Sequence, residues 1–241
     1  MRRFVQAIAT RDALPASLPD VLADALVHGA DHYNIAKGKT ALVLAINADK
    51  KLCVAPMTWG LVPRWSKQAS TPYTTVTARL ERAPKSRIFS QAWKERPCLV
   101  PMTGYYKWDR QRKPAWPHFI QRRDGNALLA AGLWETWEGE DGSFLHSFAI
   151  LTAPNLVIPP PLTQDGPVFL AMADALAWVR GSITSPRTLL RRADQPQLES
   201  YPVSRAIRRV EEEGYTLLEP VDPDDQASFS SGEEDDYDED E

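Results

Sequence analysis

The stretch CLVPMTGYYKWDRQRKPAWPHFIQRRDGNALLAAGLWETWEGEDGSFLHSFAILT, residues 98–152, decides the fold class. It reads as a train of strands, CLVPM, YYKWD, HFIQR, ALLAAGLW and FLHSFAILT, each rich in branched and aromatic residues. Turn material separates them, such as Arg122-Arg123-Asp124-Gly125-Asn126 and Gly139-Glu140-Asp141-Gly142. Asp-Gly pairs punctuate because they accept turn conformations that other residues resist. Loops this short join antiparallel neighbours, since parallel strands need a crossover of about a dozen residues or more.

Working outward, TALVLAIN (40–47) and KLCVAPMTW (51–59) flank Ala48-Asp49-Lys50 and predict a hairpin. RFVQA at the start and TTVTA (74–78) read as short strands, and PVFLA (167–171) as another. Ser17 as N-cap with Pro19 in the first turn predicts a helix running to Val27. Ser86 to Lys94 places Ile88, Phe89, Ala92 and Trp93 on one helical face. Met172 to Arg180 is amphipathic and stops at Gly181. YPVS, a short segment to Val210 and YTLLEPV close the body. Many hairpin-linked strands with helices inserted predict an α+β fold built on a mainly antiparallel, barrel-like β-sheet.

Charge divides the chain. It carries 28 Lys and Arg against 32 Asp and Glu, a formal net charge of −4. Eleven of the acidic residues lie from Asp222 onward, where there is no Lys or Arg, so residues 1–221 hold 28 basic against 21 acidic residues, a net +7. A positive body favours a polyanionic partner through long-range attraction and counterion release. One domain is expected over 1–221, followed by a self-repelling, disordered acidic tail over 222–241. That tail solvates the protein, competes with nucleic acid for the basic body, or docks a protein partner through Phe229 and Tyr237.

Other classes are disfavoured. No stretch approaches the roughly 20 apolar residues of a membrane span, and no apolar run follows the basic N-terminus. Cys53 and Cys98 lie in apolar runs and read as buried free thiols of a reducing, cytoplasmic protein. His28 and His32 are four apart, but Gly29 breaks the helix that would bring them together, and no acidic or Cys partner has metal spacing. There is no Gly-rich phosphate loop and no Ser nucleophile motif, so neither metal nor cofactor is expected, and the chain is read as a monomer.

Several segments together resemble the SRAP (SOS response-associated peptidase) family, whose members process abasic sites in DNA. They are Arg3-Phe4, HYNIAKGK (32–39), WGLVPRW (59–65), TARLER (77–82), CLVPMTGYYKW (98–108), PHFIQRRDG (117–125), AGLWETW (131–137), SFAILT (147–152) and YPVSRAI (201–207). The resemblance implies a barrel-like α/β fold with a positive cleft for single-stranded DNA. It also implies a cysteine at position 2, exposed by removal of the initiator Met. The amine and thiol of that cysteine close a stable ring on the aldehyde of an opened abasic sugar, helped by an Asn, a Glu and a His.

Each reactive position departs from that pattern. Met-Cys-Gly-Arg-Phe is replaced by Met1-Arg2-Arg3-Phe4, and no cysteine precedes Cys53. Guanidinium stays protonated and cannot replace a thiolate. Ile-Asn-Ala-Arg becomes Val76-Thr77-Ala78-Arg79, which exchanges an amide for a hydroxyl. Gly-Phe/Tyr-Tyr-Glu-Trp becomes Gly104-Tyr105-Tyr106-Lys107-Trp108, which exchanges a carboxylate for an ammonium. Ile-His-x-Arg-Met-Pro becomes Leu162-Thr163-Gln164-Asp165-Gly166-Pro167, so Thr163 stands at the histidine. With Arg2, Thr77, Lys107 and Thr163 at the reactive positions, the scaffold is kept while the ring chemistry is gone.

DNA contact remains. Arg3 and Arg79 match arginines implied to contact phosphate, a role that suits the forked guanidinium. Pro63 and Trp65 lie in the segment implied to wedge against bases, where an indole stacks on any base. Trp59 in the same segment reads as core, Arg64 adds charge, and Lys107 adds attraction for phosphate. The expected function is therefore single-stranded DNA binding in abasic-site repair, without covalent cross-linking or self-peptidase activity. Two alternatives stand beside it. An enzyme could use Lys107 or the Met1 α-amine to form an imine with the abasic aldehyde, or a regulatory subunit could act through its acidic tail.

Overall fold

The computed structural model describes residues 1–227. In chain order the strands are β1 (Arg3–Gln6), β2 (His32–Ile35), β3 (Thr40–Ile46), β4 (Leu52–Trp59), β5 (Thr77–Arg79) and β6 (Pro97–Met102). Then come β7 (Gly104–Asp109), β8 (Trp116–Arg122), β9 (Leu128–Glu138), β10 (Phe144–Pro154), β11 (Asp165–Pro167) and β12 (Leu198–Pro202). The α-helices are α1 (Asp20–Val27), α2 (Ser90–Glu95), α3 (Met172–Val179), α4 (Pro186–Arg191) and α5 (Pro223–Ala227).

Five strands close on themselves. β10 pairs β4, β4 pairs β3, β3 pairs β6, β6 pairs β9, and β9 returns to β10. All of these contacts are antiparallel except β4 with β10, where Thr58 pairs Ser147 and Trp59 pairs Phe148 in parallel; β5 also runs parallel to β10. A second sheet, ordered β12-β8-β7-β1-β2, is antiparallel throughout. The fold is thus α+β with a mixed, closed barrel and a flanking sheet.

Strand geometry explains why the decisive stretch is so apolar. Side chains alternate between the two faces of a strand, and here both faces are buried. Ala41, Val43 and Ala45 of β3, Cys98, Val100 and Met102 of β6, Leu128 and Ala130 of β9, and Phe148 and Ile150 of β10 share one cluster. The residues between them, Leu44, Leu99, Leu129, Ala131, Ala149 and Leu151, pack in a second cluster with Leu22, Ala23 and Leu26 of α1, Trp93 of α2 and Trp178 of α3. Strands covered on both faces read as continuous apolar runs. Gly132 is required where β9 passes between its neighbours, because a Cβ there would lie 2.9 Å from both the Ala149 carbonyl oxygen and Cys98 Sγ.

Local readings are corrected in several places. Helix α1 begins at Asp20, and the Pro19 carbonyl accepts its first bonds from Leu22 and Ala23, so Pro19 and not Ser17 is the cap. Ser86 to Phe89 forms a turn ahead of α2, although Phe89, Ala92 and Trp93 face the core as expected. Strand β5 starts three residues later than TTVTA. PVFLA is not a regular strand. Val168 donates to Leu151 of β10 and accepts from Ala131 of β9, and Leu170 donates to Leu129, so the segment fills the gap where those two strands part. Helix α4 went unforeseen, yet Ser185 caps it by accepting from the Thr188 amide, with Pro186 in its first turn. Cys98 is buried, whereas Cys53 is only partly so.

Of the segment read as an acidic tail, α5 covers Pro223–Ala227, and Asp224 pairs with Arg112 at 2.8 Å. Residues 228–241, with Phe229 and Tyr237, lie outside the described residues. Among the described residues no helix is long and apolar enough to cross a membrane.

Candidate active site and nucleic-acid interface

The chain start lies along β7. Arg3 pairs Tyr106, Phe4 pairs Tyr105 and Val5 pairs Gly104. Alternation then puts Phe4 and Tyr105 on the face that meets the barrel cluster, with Arg2 and Lys107 in phase with them. Met1, partly buried, packs against that cluster. Arg3 shares the opposite face with Val5 and Tyr106, and its guanidinium donates to the Arg208 carbonyl at 2.9 Å.

Lys107 is 6% exposed and donates from Nζ to the Asp165 carbonyl oxygen at 2.5 Å and to Asp165 Oδ1 at 3.1 Å. Burial draws its ammonium below the usual lysine range, and Asp165 opposes that shift. For Asp165 the balance runs the other way. Burial works to raise its carboxyl, but Lys107, the Thr163 hydroxyl and the α-amine together carry it below the usual range. Burial, followed by the charges of Lys107, Arg2 and Arg110, lowers the Met1 α-amine to about 6 against the pull of Asp165. The Tyr105 hydroxyl is buried without a hydrogen-bond partner, close beside Gly166, and burial raises it far above its ordinary range. It is therefore a neutral donor.

Three of the four positions that the resemblance makes reactive therefore lie near one another: Arg2 is in phase with Lys107 across the pairing of β1 with β7, and Thr163 is linked to Lys107 through Asp165. Thr77 comes from β5, where it pairs with Ile150; Arg79 pairs with Thr152. Phase with Phe148 and Ile150 puts both side chains on the same side of the sheet as the barrel cluster. Asp165 escaped notice in the sequence. Its signal was there, because Asp replaces the Arg of the resemblance motif where Lys replaces the Glu.

The expected DNA contacts are dispersed. Arg79 and Trp65 are exposed, and Arg87 lies over the Trp65 ring at 4.6 Å. Trp59 is fully buried and donates to the Val76 carbonyl at 2.8 Å, as a core residue. Pro63 is buried as well. Arg64 grips the buried Glu135 with two bonds of 3.0 and 3.1 Å and reaches Glu95 at 3.0 Å, while Arg96 pairs the same Glu135 at 3.0 Å. Neither cysteine approaches the role of a nucleophile, since burial raises both thiols, Cys98 well above its ordinary value.

The family described as SOS response associated peptidase (SRAP) matches residues 3–210. The abasic site processing protein YedK of Escherichia coli is 28% identical over 225 residues, covering 91% of this chain and 99% of its own. The abasic site processing protein HMCES of Mus musculus is 24% identical and covers 70% of this chain and 57% of its own. A crystal structure of a Bacteroides thetaiotaomicron protein superimposes with a TM-score of 0.67 at 16% identity, over 91% of this chain and 99% of that one. A phage-related protein of Bordetella bronchiseptica gives 0.62 at 23% identity, over 85% and 95%. These two likenesses bear on fold alone.

Proposed function

The chain belongs to the SOS response associated peptidase family, and from that premise we propose that it binds single-stranded DNA at abasic sites without closing a thiol-derived ring. The observation that carries this reading is the pairing of β1 with β7, which sets Arg2 in phase with Lys107, together with Arg2 standing where the resemblance has its cysteine. The remaining thiols, Cys53 and Cys98, are held protonated in or against the barrel wall. Binding rests on the positive body, on Arg79 in phase with the mouth, and on the exposed Trp65 indole as a stacking surface. Pro63 is buried and Arg3 is bound to the Arg208 carbonyl, while the exposed Arg64, held by Glu135 and Glu95, adds charge beside Trp65. If the acidic segment competes for the same surface, removing residues 222–241 raises DNA affinity at low salt; unchanged affinity dismisses that role.

The test is a titration of labelled single-stranded DNA, with and without one abasic site, across a salt series. Salt-sensitive binding, stronger to the abasic strand, is the expected result. Absence of binding at low salt overturns the reading, and a covalent adduct that survives without any reductant overturns the loss of ring chemistry.

A further inference from the structure

We infer that the hairpin of α3 and α4 carries a second nucleic-acid site on its outer face, one that holds the phosphate backbone of double-stranded DNA. The inference goes beyond the single-strand reading and does not depend on it.

Two short helices build the surface. Helix α3 buries Met172, Ala175, Trp178 and Val179 against the barrel wall, and α4 buries Leu189 there. Arg192, just past the end of α4, reaches Asp174 in the first turn of α3 at 3.2 Å, so α4 runs back along α3. Arg187 at the start of α4 therefore lies at the end where α3 stops with Arg180. At about 100° per residue, Arg187 and Arg191 point within about 40° of each other and about 160° away from Leu189. Arg180, Arg187, Arg191 and Arg192 are all exposed.

The charge on this face is not neutralised. Asp174 is taken by Arg192, while Asp194 and Asp124, the acids next to the hairpin, are taken by Arg122 at 3.8 and 2.6 Å. Arg180, Arg187 and Arg191 have no carboxylate partner among the described residues. Helix dipoles account for Arg180 and Arg191, which stand at C-terminal ends where a cation is favoured. They do not account for Arg187. It sits in the first turn of α4, where the dipole repels a cation, four residues before the like charge of Arg191. A polyanion laid across the face turns that repulsion into attraction.

The chemistry of the face selects phosphate and not base. A guanidinium forks onto two phosphate oxygens. Single strands are held by stacking on exposed rings. The rings at this hairpin are Trp178 of α3 and Trp93, which lies 5.2 Å from it and donates to the Thr184 carbonyl, and both are buried. A duplex needs no such platform, because its bases are paired and its phosphates face outward. An anionic lipid surface takes up an apolar face as well as charge, and Leu190 is the one large apolar side chain exposed on the hairpin.

The test titrates the full chain with a blunt-ended duplex that has no single-stranded part, across a salt series. Salt-sensitive binding is expected of wild type. Arg187→Ala with Arg191→Ala flattens the salt slope by about 1.8, two duplex phosphate contacts at about 0.9 each, and lysine at both positions restores it, because the slope counts charge. Lys50→Asn with Lys51→Ala removes the same charge from the turn between β3 and β4, where Asn suits the positive φ of position 50, and leaves the slope unchanged. All variants keep the wild-type circular dichroism. No duplex binding at low salt, an alanine pair with the wild-type slope, or an equal fall in the Lys50 and Lys51 control overturns the inference, and so does capture by phosphatidylserine vesicles with none by the duplex. Single-stranded DNA is titrated in parallel. An alanine pair that loses as much affinity for single strands as for the duplex makes the hairpin part of one shared surface and overturns the second site. Duplex binding by a wild type that ignores single strands sinks the single-strand reading alone.

Discussion

Lys107 Nζ stands 3.1 Å from Asp165 Oδ1 and ties the middle of β7 to the first residue of β11. Lys107 is buried while the Asp165 side chain is 68% exposed, so the two halves of the pair are not equivalent. A buried ammonium stripped of its carboxylate keeps its desolvation cost and loses its compensation. Asp165→Ala is expected to cost about 1–2 kcal/mol, below the range for a wholly buried pair because solvent screens the carboxylate. The reversal Lys107→Glu with Asp165→Arg should recover most of that loss. Urea unfolding of wild type, Asp165→Ala, Lys107→Glu, Asp165→Arg and the double reversal checks it, and a double variant as unstable as the summed reversal singles would rule the pairing out as a stabilising contact.

Stability should rise with pH between about 6 and 8. The α-amine is lowered to about 6 in the folded chain from an ordinary value of 8.0. In that window the unfolded chain binds more protons than the folded one, so the free energy of unfolding increases with pH. The penalty is fully present below about pH 6 and gone above about pH 8, on the order of 3 kcal/mol. Burial also lowers His118, against the pull of Asp109, and adds a slope of the same sign below its ordinary value of 6.5. The interval from about 6.5 to 8 therefore isolates the amine. N-terminal acetylation should flatten the melting temperature across it, and a slope unchanged by acetylation would assign the effect elsewhere.

Gly132→Ala should destabilise the barrel by about 1–3 kcal/mol, the usual range for overpacking. The added methyl would meet the Ala149 carbonyl and Cys98 Sγ, each at 2.9 Å, in neighbouring strands that cannot both yield. Denaturant midpoints decide it. A variant as stable as wild type would show that β9 does not approach β6 and β10 this closely.

Arg64 and Arg79 should part ways. Arg64 holds the buried Glu135 and should fail in stability when cut to alanine, by about 1–2 kcal/mol, because Arg96 still partners the carboxylate. Arg79→Ala should leave stability alone, weaken DNA binding across all sequences, and flatten the salt dependence by about 0.7 in slope, the loss of one single-strand phosphate contact. Trp65→Ala should cost about 1–3 kcal/mol of DNA affinity with little change in that slope. Equal salt slopes for wild type and Arg79→Ala would remove Arg79 from the interface.

Strands were legible because their signal is local. Alternating and doubly apolar runs between Asp-Gly turns mark β9 and β10 whatever their partners, and the hairpin of β3 and β4 follows from one short loop. The residue at position 2 is as local a fact, since arginine, where the resemblance has cysteine, offers no thiol in any conformation. What closes the barrel was not legible. The parallel contact of β4 with β10 joins residues nearly ninety apart, and no loop between them specifies it. The burial of Pro63 and the capture of Arg64 by Glu135 depend on neighbours that a side chain meets only after folding. The same holds for Lys107 and Asp165. Each taken singly reads as a lost catalytic group or a stray charge, and only folding brings the two side chains to 3.1 Å, because an ion pair is a property of distance and burial and neither is written along the chain.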